Sequence, residues 1–134
     1  MTQASDVSLA LALLERAGAE LKKSRDLLFP DKENKNVIAW GDFRRFVEPL
    51  EEARLRLTLG RLEETYPTAQ SLYFVVTDLI ERYAKHSDGV SASLTRAQDE
   101  VGTLMDYIAA AIRASLSADE TGTASGGPRG GLVD

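Results

Sequence analysis

The stretch VSASLTRAQDEVGTLMDYIAAA, residues 90–111, decides the fold. Val90, Leu94, Ala97, Val101, Leu104, Ile108 and Ala111 recur in it at alternating steps of four and three. That spacing lays all of them along one seam of an α-helix, with mostly polar residues between. A half-buried strand would need apolar residues at every second position, and none of that alternation is present. A strict four-three repeat belongs to helices that pack lengthwise in bundles or coiled coils. The spacing predicts a helix over about 90–116.

Working back toward the N-terminus, Gly89 after Asp88 reads as the terminator of a preceding helix. That helix is expected at about 68–87, with Leu72, Val76, Leu79 and Tyr83 on its seam and Tyr73, Phe74, Val75 and Ile80 flanking it. Apolar around so much of its circumference, it should be the most buried of the set. Pro67 either opens this helix after a tight turn or kinks one longer helix, because its ring clashes with the carbonyl four residues back. The break is the favoured reading, and the kinked alternative stays open.

A further helix is expected over 43–65, with Asp42 as its N-cap. Phe43, Phe46, Val47, Leu50, Ala53 and Leu57 form one row, and Leu55, Leu59, Leu62 and Tyr66 a second. Pro49, followed by Glu51 and Glu52, suits a first turn, so a bend or short prelude should precede it. The first helix, about 6–28, begins at Ser5 or Asp6 and carries Val7, Leu11, Leu14, Gly18, Leu21, Arg25 and Leu28, widened by Leu13, Ala17 and Leu27. Phe29-Pro30-Asp31 ends it. Residues 30–41, PDKENKNVIAWG, show no helical period and are read as the longest internal loop.

The expected fold is therefore all-α, a four-helix antiparallel up-down bundle over residues 1–116, since short connections make neighbours antiparallel. Residues 117–134, SADETGTASGGPRGGLVD, are glycine-rich with few apolar side chains, the composition of a disordered, flexible acidic tail.

Composition narrows the function. With 43% hydrophobic and 28% charged residues the 134-residue chain is globular in character. No apolar run reaches the roughly 20 residues that span a bilayer. No signal-peptide pattern opens the chain, so a cytoplasmic protein is expected, with any export independent of such a signal. The absence of cysteine excludes thiolate metal sites, disulfides and cysteine nucleophiles. A net charge of −5 argues against nucleic-acid binding, which depends on a basic face. Arg44, Arg45, Arg54, Arg56 and Arg61 do cluster, but Glu48, Glu51, Glu52, Glu63 and Glu64 are interleaved with them, as on a solvated helix surface.

No motif for catalysis, a cofactor or a metal stands out. The single histidine, His86, cannot supply the paired Glu-x-x-His ligands of a bundle di-metal site. Nor does a Gly-x-Ser-x-Gly elbow accompany it. Phosphotransfer bundles use one exposed histidine mid-helix followed by Lys-Gly, whereas Ser87-Asp88-Gly89 follows here. The plain reading is a solvated helix-end residue. A ligand- or signal-responsive bundle around His86 and Tyr83 is the alternative to an interaction role. Gly126-Gly127-Pro128-Arg129-Gly130-Gly131 lacks the Lys-Ser/Thr ending of a phosphate loop.

The remaining candidates are Trp40, Gly41, Phe43 and Ile38, read as an element that docks a protein partner, since tryptophan is enriched in binding hot spots. The competing reading is that Trp40 plugs the end of the bundle. A helix, a Trp-Gly connection and a second amphipathic helix over residues 6–66 resemble the Trp-x-Gly helical-hairpin proteins of bacterial type VII secretion systems. The resemblance implies helical dimers exported folded. Here Trp40 and Gly41 are adjacent, two more helices follow, and the Tyr-x-x-x-Asp/Glu export signal is absent, since Ser87 follows Tyr83 and Ala111 follows Tyr107 at that spacing. The function expected is thus a non-enzymatic interaction module, acting through helix faces as a homo- or hetero-oligomer.

Overall fold

The computed structural model of the protein describes residues 4–29 and 37–125, with side chains described from Val7 to Phe29 and from Trp40 to Ser117. Its helices are α1 (Ala4–Leu28), α2 (Val37–Arg44), α3 (Val47–Thr58), α4 (Leu62–Tyr83) and α5 (Asp88–Ser125), with a 3-10 turn at Ala84–His86. The described residues contain no strand, and the all-α class holds. The four long elements α1, α3, α4 and α5 pack in a closed ring, each against the next and α5 back against α1.

Contacts across each seam run antiparallel. Arg16 and Glu20 of α1 meet Glu100 and Arg96 of α5 in reverse order, both at 3.1 Å. Arg54 of α3 reaches Glu15 of α1 at 2.5 Å. Between α4 and α5, Gln98 donates to Thr77 at 3.1 Å, while Tyr73 lies over Gly102. The interior is filled from all four helices, with Leu14, Leu21, Leu50, Leu57, Leu72, Leu79, Leu94 and Leu104 almost wholly excluded from solvent. Among the described residues, no helix is long and apolar enough to cross a membrane.

The α5 seam is the one that the sequence presents most cleanly. Val90, Leu94, Ala97, Val101, Leu104 and Ile108 are all fully buried, so this face is consumed inside the molecule. On α1 the buried face is turned by about one residue from the expected stripe. Ala10, Leu13, Leu14, Ala17, Gly18, Leu21 and Ser24 are inside, whereas Leu11, Arg25 and Leu28 are only partly covered. Gly18 lets α3 approach, because a Cβ there would stand 3.1 Å from Leu50 Cδ2.

Several boundaries differ from expectation for identifiable reasons. The break between the second and third long helices falls at 59–61, not at Pro67. Gly60 adopts φ +73°, its N–H donates to the Leu57 carbonyl, and the Arg61 N–H donates to that of Arg56, both at 2.9 Å. These two bonds form a Schellman closure, which satisfies the last carbonyls of α3 and depends on a residue at ease with positive φ. Pro67 then sits inside α4. The backbone around it is held by side chains: Arg56 donates to the Glu64 carbonyl at 3.2 Å and to Thr68 Oγ1 at 2.8 Å.

At the other end of α4 the helix stops at Tyr83, and α5 begins at Asp88, so Gly89 lies within the first turn of α5 instead of ending α4. Ser87 is the cap, in extended backbone, its hydroxyl accepting from the Val90 N–H at 3.1 Å. The helix α5 runs past the expected end at 116 to Ser125, as propagation onto Ala118, Asp119 and Glu120 costs little once a long helix is nucleated. Residues 126–134 of the expected tail lie outside the described residues. The bend expected ahead of Pro49 appears at Arg45 and Phe46, whose N–H groups make i to i−3 bonds to Asp42 and Phe43 between α2 and α3.

Candidate functional site

Trp40 and Gly41 lie on a helix, α2, and not in the loop expected over 30–41, and Phe43, expected in the helix over 43–65, belongs to the same short α2. Residues 30–36 are outside the described part. Ile38 belongs to α2, but its side chain is outside the described set. Asp42, expected as an N-cap, is an interior residue of α2. Its carboxylate instead accepts from the Tyr83 hydroxyl of α4 at 2.6 Å.

Around Trp40 the side chains close the end of the bundle. Phe29 meets the indole edge-on at 5.3 Å between centroids and meets Phe43 at 6.0 Å. Phe43 in turn lies 5.2 Å from Tyr83, and the Arg25 guanidinium sits over the indole at 5.6 Å. Trp40 is half-buried, Phe43 fully buried and Gly41 exposed. This geometry brings Trp40 and Phe43 into one packed plug and leaves Phe43 with no surface to offer a partner.

A chain of charged hydrogen bonds ties this plug to α4. Asp42 also takes Arg82 at 3.5 Å, Arg82 pairs with Asp78 at 3.0 Å, and Asp78 accepts from Arg45 at 2.6 Å. The hydrogen bond from Arg45, reinforced by Arg82, holds the Asp78 carboxyl below its ordinary range. Burial, then the hydrogen bond to Asp42, pushes the Tyr83 hydroxyl up to about 12. A phenol held there stays protonated near neutrality and serves as a fixed donor. His86 is exposed in the 3-10 turn. Among the described residues no group of three or more histidine or carboxylate side chains is arranged to hold a metal ion.

A concave surface lies elsewhere, on the outer side of α3 and α4. This open groove of about 830 Å³ is lined by Gly41, Arg44 and Arg45, then by Val47, Glu48, Pro49 and Glu52, with Ser71 and Val75 across from them. Beside it Phe74, expected to be buried, is 71% exposed. It lies on the side of α4 opposite Leu72, Val76 and Leu79, because two residues along a helix turn the side chain through more than half a revolution. Val47, which lines the groove, is also exposed, as are Leu55 of α3 and Leu59 just beyond its end.

The charges of the face are mostly matched internally. Arg54 pairs with Glu51 and Glu15, Arg56 with Glu52 and Arg61 with Glu64. Within the arginine cluster noted in the sequence, Arg44 alone makes no ion pair among the described residues. Glu48, one turn along and also lining the groove, makes none either. No family model matches the chain, and no match was found among curated proteins or solved structures.

The groove was not visible in the sequence, since it exists only where α3 and α4 lie side by side. One signal could have pointed toward it. Phe74 falls outside the Leu72–Val76–Leu79 seam, in a segment with Ser71, Thr77 and Asp78 around it.

Proposed function

We propose that the chain is a non-enzymatic helical interaction module that receives a protein partner along the outer face of α3 and α4. The observation that carries this reading is the exposed ring of Phe74 beside an open groove. A large aromatic held in solvent contributes nothing to the bundle's own packing, and aromatic anchors dominate the energetics of protein interfaces. Arg56 of α3, donating to the Glu64 carbonyl and to Thr68 of α4, ties the two helices together. A partner therefore meets a surface that needs little ordering on binding.

Adaptor, chaperone-like and secretion-associated roles all use such a face. The likeness of residues 6–66 to the type VII helical hairpins supports the last of these. The test is affinity capture from the producing cells with the wild-type chain and with Phe74→Ser. Proteins held by the wild type should be lost from the variant, whose helicity by circular dichroism should be unchanged. An identical set of captured proteins would refute the proposal.

A further inference from the structure

We propose that the partner in the α3–α4 groove is a second copy of this chain, docked antiparallel about a twofold axis so that Arg44 of each copy meets Glu48 of the other. The inference rests on the reading of this face as a docking surface and names what occupies it.

Charge complementarity singles out a second copy. Arg44 and Glu48 stand four residues apart in sequence, both are exposed, both line the groove, and neither has an ion-pair partner among the described residues. A twofold axis level with Phe46 exchanges the two positions, so two symmetry-related contacts satisfy both charges of both copies. Such self-complementarity is what an isologous interface requires. A partner surface of a single charge sign would match one of the two residues and oppose the other.

The same rotation gives the apolar groups a place. Arg45 pairs with Asp78, and Thr68 donates to Glu52, which sets Phe74 roughly level with Pro49. Rotation about the level of Phe46 carries the Phe74 ring to the Gly41–Arg44 end of the facing groove. Gly41 leaves room there, for a Cβ at that position would meet nothing within 4 Å. Each ring is thereby covered by the opposite copy. The ion pairs on the rim set orientation and register, while Phe74, Val47 and Val75 supply apolar contact.

Sedimentation analysis of the full chain tests this through charge reversal. The wild type should show a concentration-dependent species of twice 14.6 kDa. Arg44→Glu and Glu48→Arg, each alone, should weaken self-association by about tenfold or more, because symmetry places two like-charge contacts in every dimer. An equimolar mixture of the two variants should recover the wild-type behaviour. In the mixed dimer the glutamate introduced into one chain faces the arginine introduced into the other, while the retained Glu48 and Arg44 face each other. Both positions are exposed, and unchanged circular dichroism establishes that each variant is folded. A wild type that stays monomeric at every concentration overturns the proposal. So do single variants that associate as well as the wild type, or a mixture that fails to recover. If the chain is monomeric and Phe74→Ser still loses a captured protein of another kind, the docking face stands and only its occupant is refuted.

Discussion

Replacing Trp40 with alanine separates the two roles that the sequence leaves open for this residue. The indole is half-buried, abutted by Phe29 at 5.3 Å and covered by Arg25 at 5.6 Å. Truncating a fully buried aromatic costs about 3–5 kcal/mol, and half burial scales this to roughly 2 kcal/mol, including the edge-to-face and cation–π contacts. In a domain of this size that corresponds to a fall in Tm of roughly 6–10 °C. Urea unfolding followed by circular dichroism is the suitable assay, because Trp40 is the only tryptophan and its removal eliminates intrinsic indole fluorescence. A loss of about 2 kcal/mol with an unchanged m-value supports the plug. A loss below about 0.5 kcal/mol, the usual range for surface substitutions, would refute the packing argument and return Trp40 to the candidate docking residues.

Other perturbations probe the frame. Tyr83→Phe removes the donor to Asp42 and should cost about 1–2 kcal/mol in urea unfolding, because the acceptor is charged and keeps only the longer contact to Arg82. Gly60→Ala should cost about 1–2 kcal/mol, because φ at Gly60 is +73°; a neutral outcome would contradict the Schellman closure. Stability should also fall in acid. The hydrogen bond from Arg54 lowers the Glu15 carboxyl and that from Arg45 lowers Asp78. A carboxyl lowered in the folded state contributes stability above its unfolded value, near pH 4, and loses it as pH falls through the folded value. Arg45→Ala and Arg54→Ala should flatten that acid limb in pH-dependent denaturation, and an unaltered limb would show that the pairs do not persist in solution.

How far the fold could be read before the structure depends on where its information is stored. The α5 seam is local and periodic, and all of its residues through Ile108 are buried as their spacing implies. Pro67 and Gly60 compete as the end of a helix. The proline is the louder signal, yet it lies inside α4, where Arg56 of α3 donates to the Glu64 carbonyl before it and to Thr68 after it. No pattern within α4 announces that donor. Likewise 30–41 has no helical period, but α2 starts at Val37, with Trp40 and Phe43 both packed on Phe29 at the end of α1 and Phe43 also on Tyr83 of α4. Trp40, Gly41 and Phe43 were identifiable as unusual residues, although the first and last are now seen packed together at the end of the bundle. The groove and the exposure of Phe74 depend on how α3 and α4 pair, so a reading along the chain could place Phe74 only among apolar flanking residues.

The outer face of α3 and α4 is the surface at which we propose this protein is bound. Photo-crosslinking in the producing cells addresses it most directly, with benzoylphenylalanine placed at Phe74 and, as controls, at the exposed positions Lys23 of α1 and Thr103 of α5. A discrete crosslinked species is expected from position 74 and none from 23 or 103, with the mass of that species distinguishing a second copy from another protein. Crosslinks from positions 23 or 103 with none from 74 would contradict the proposal.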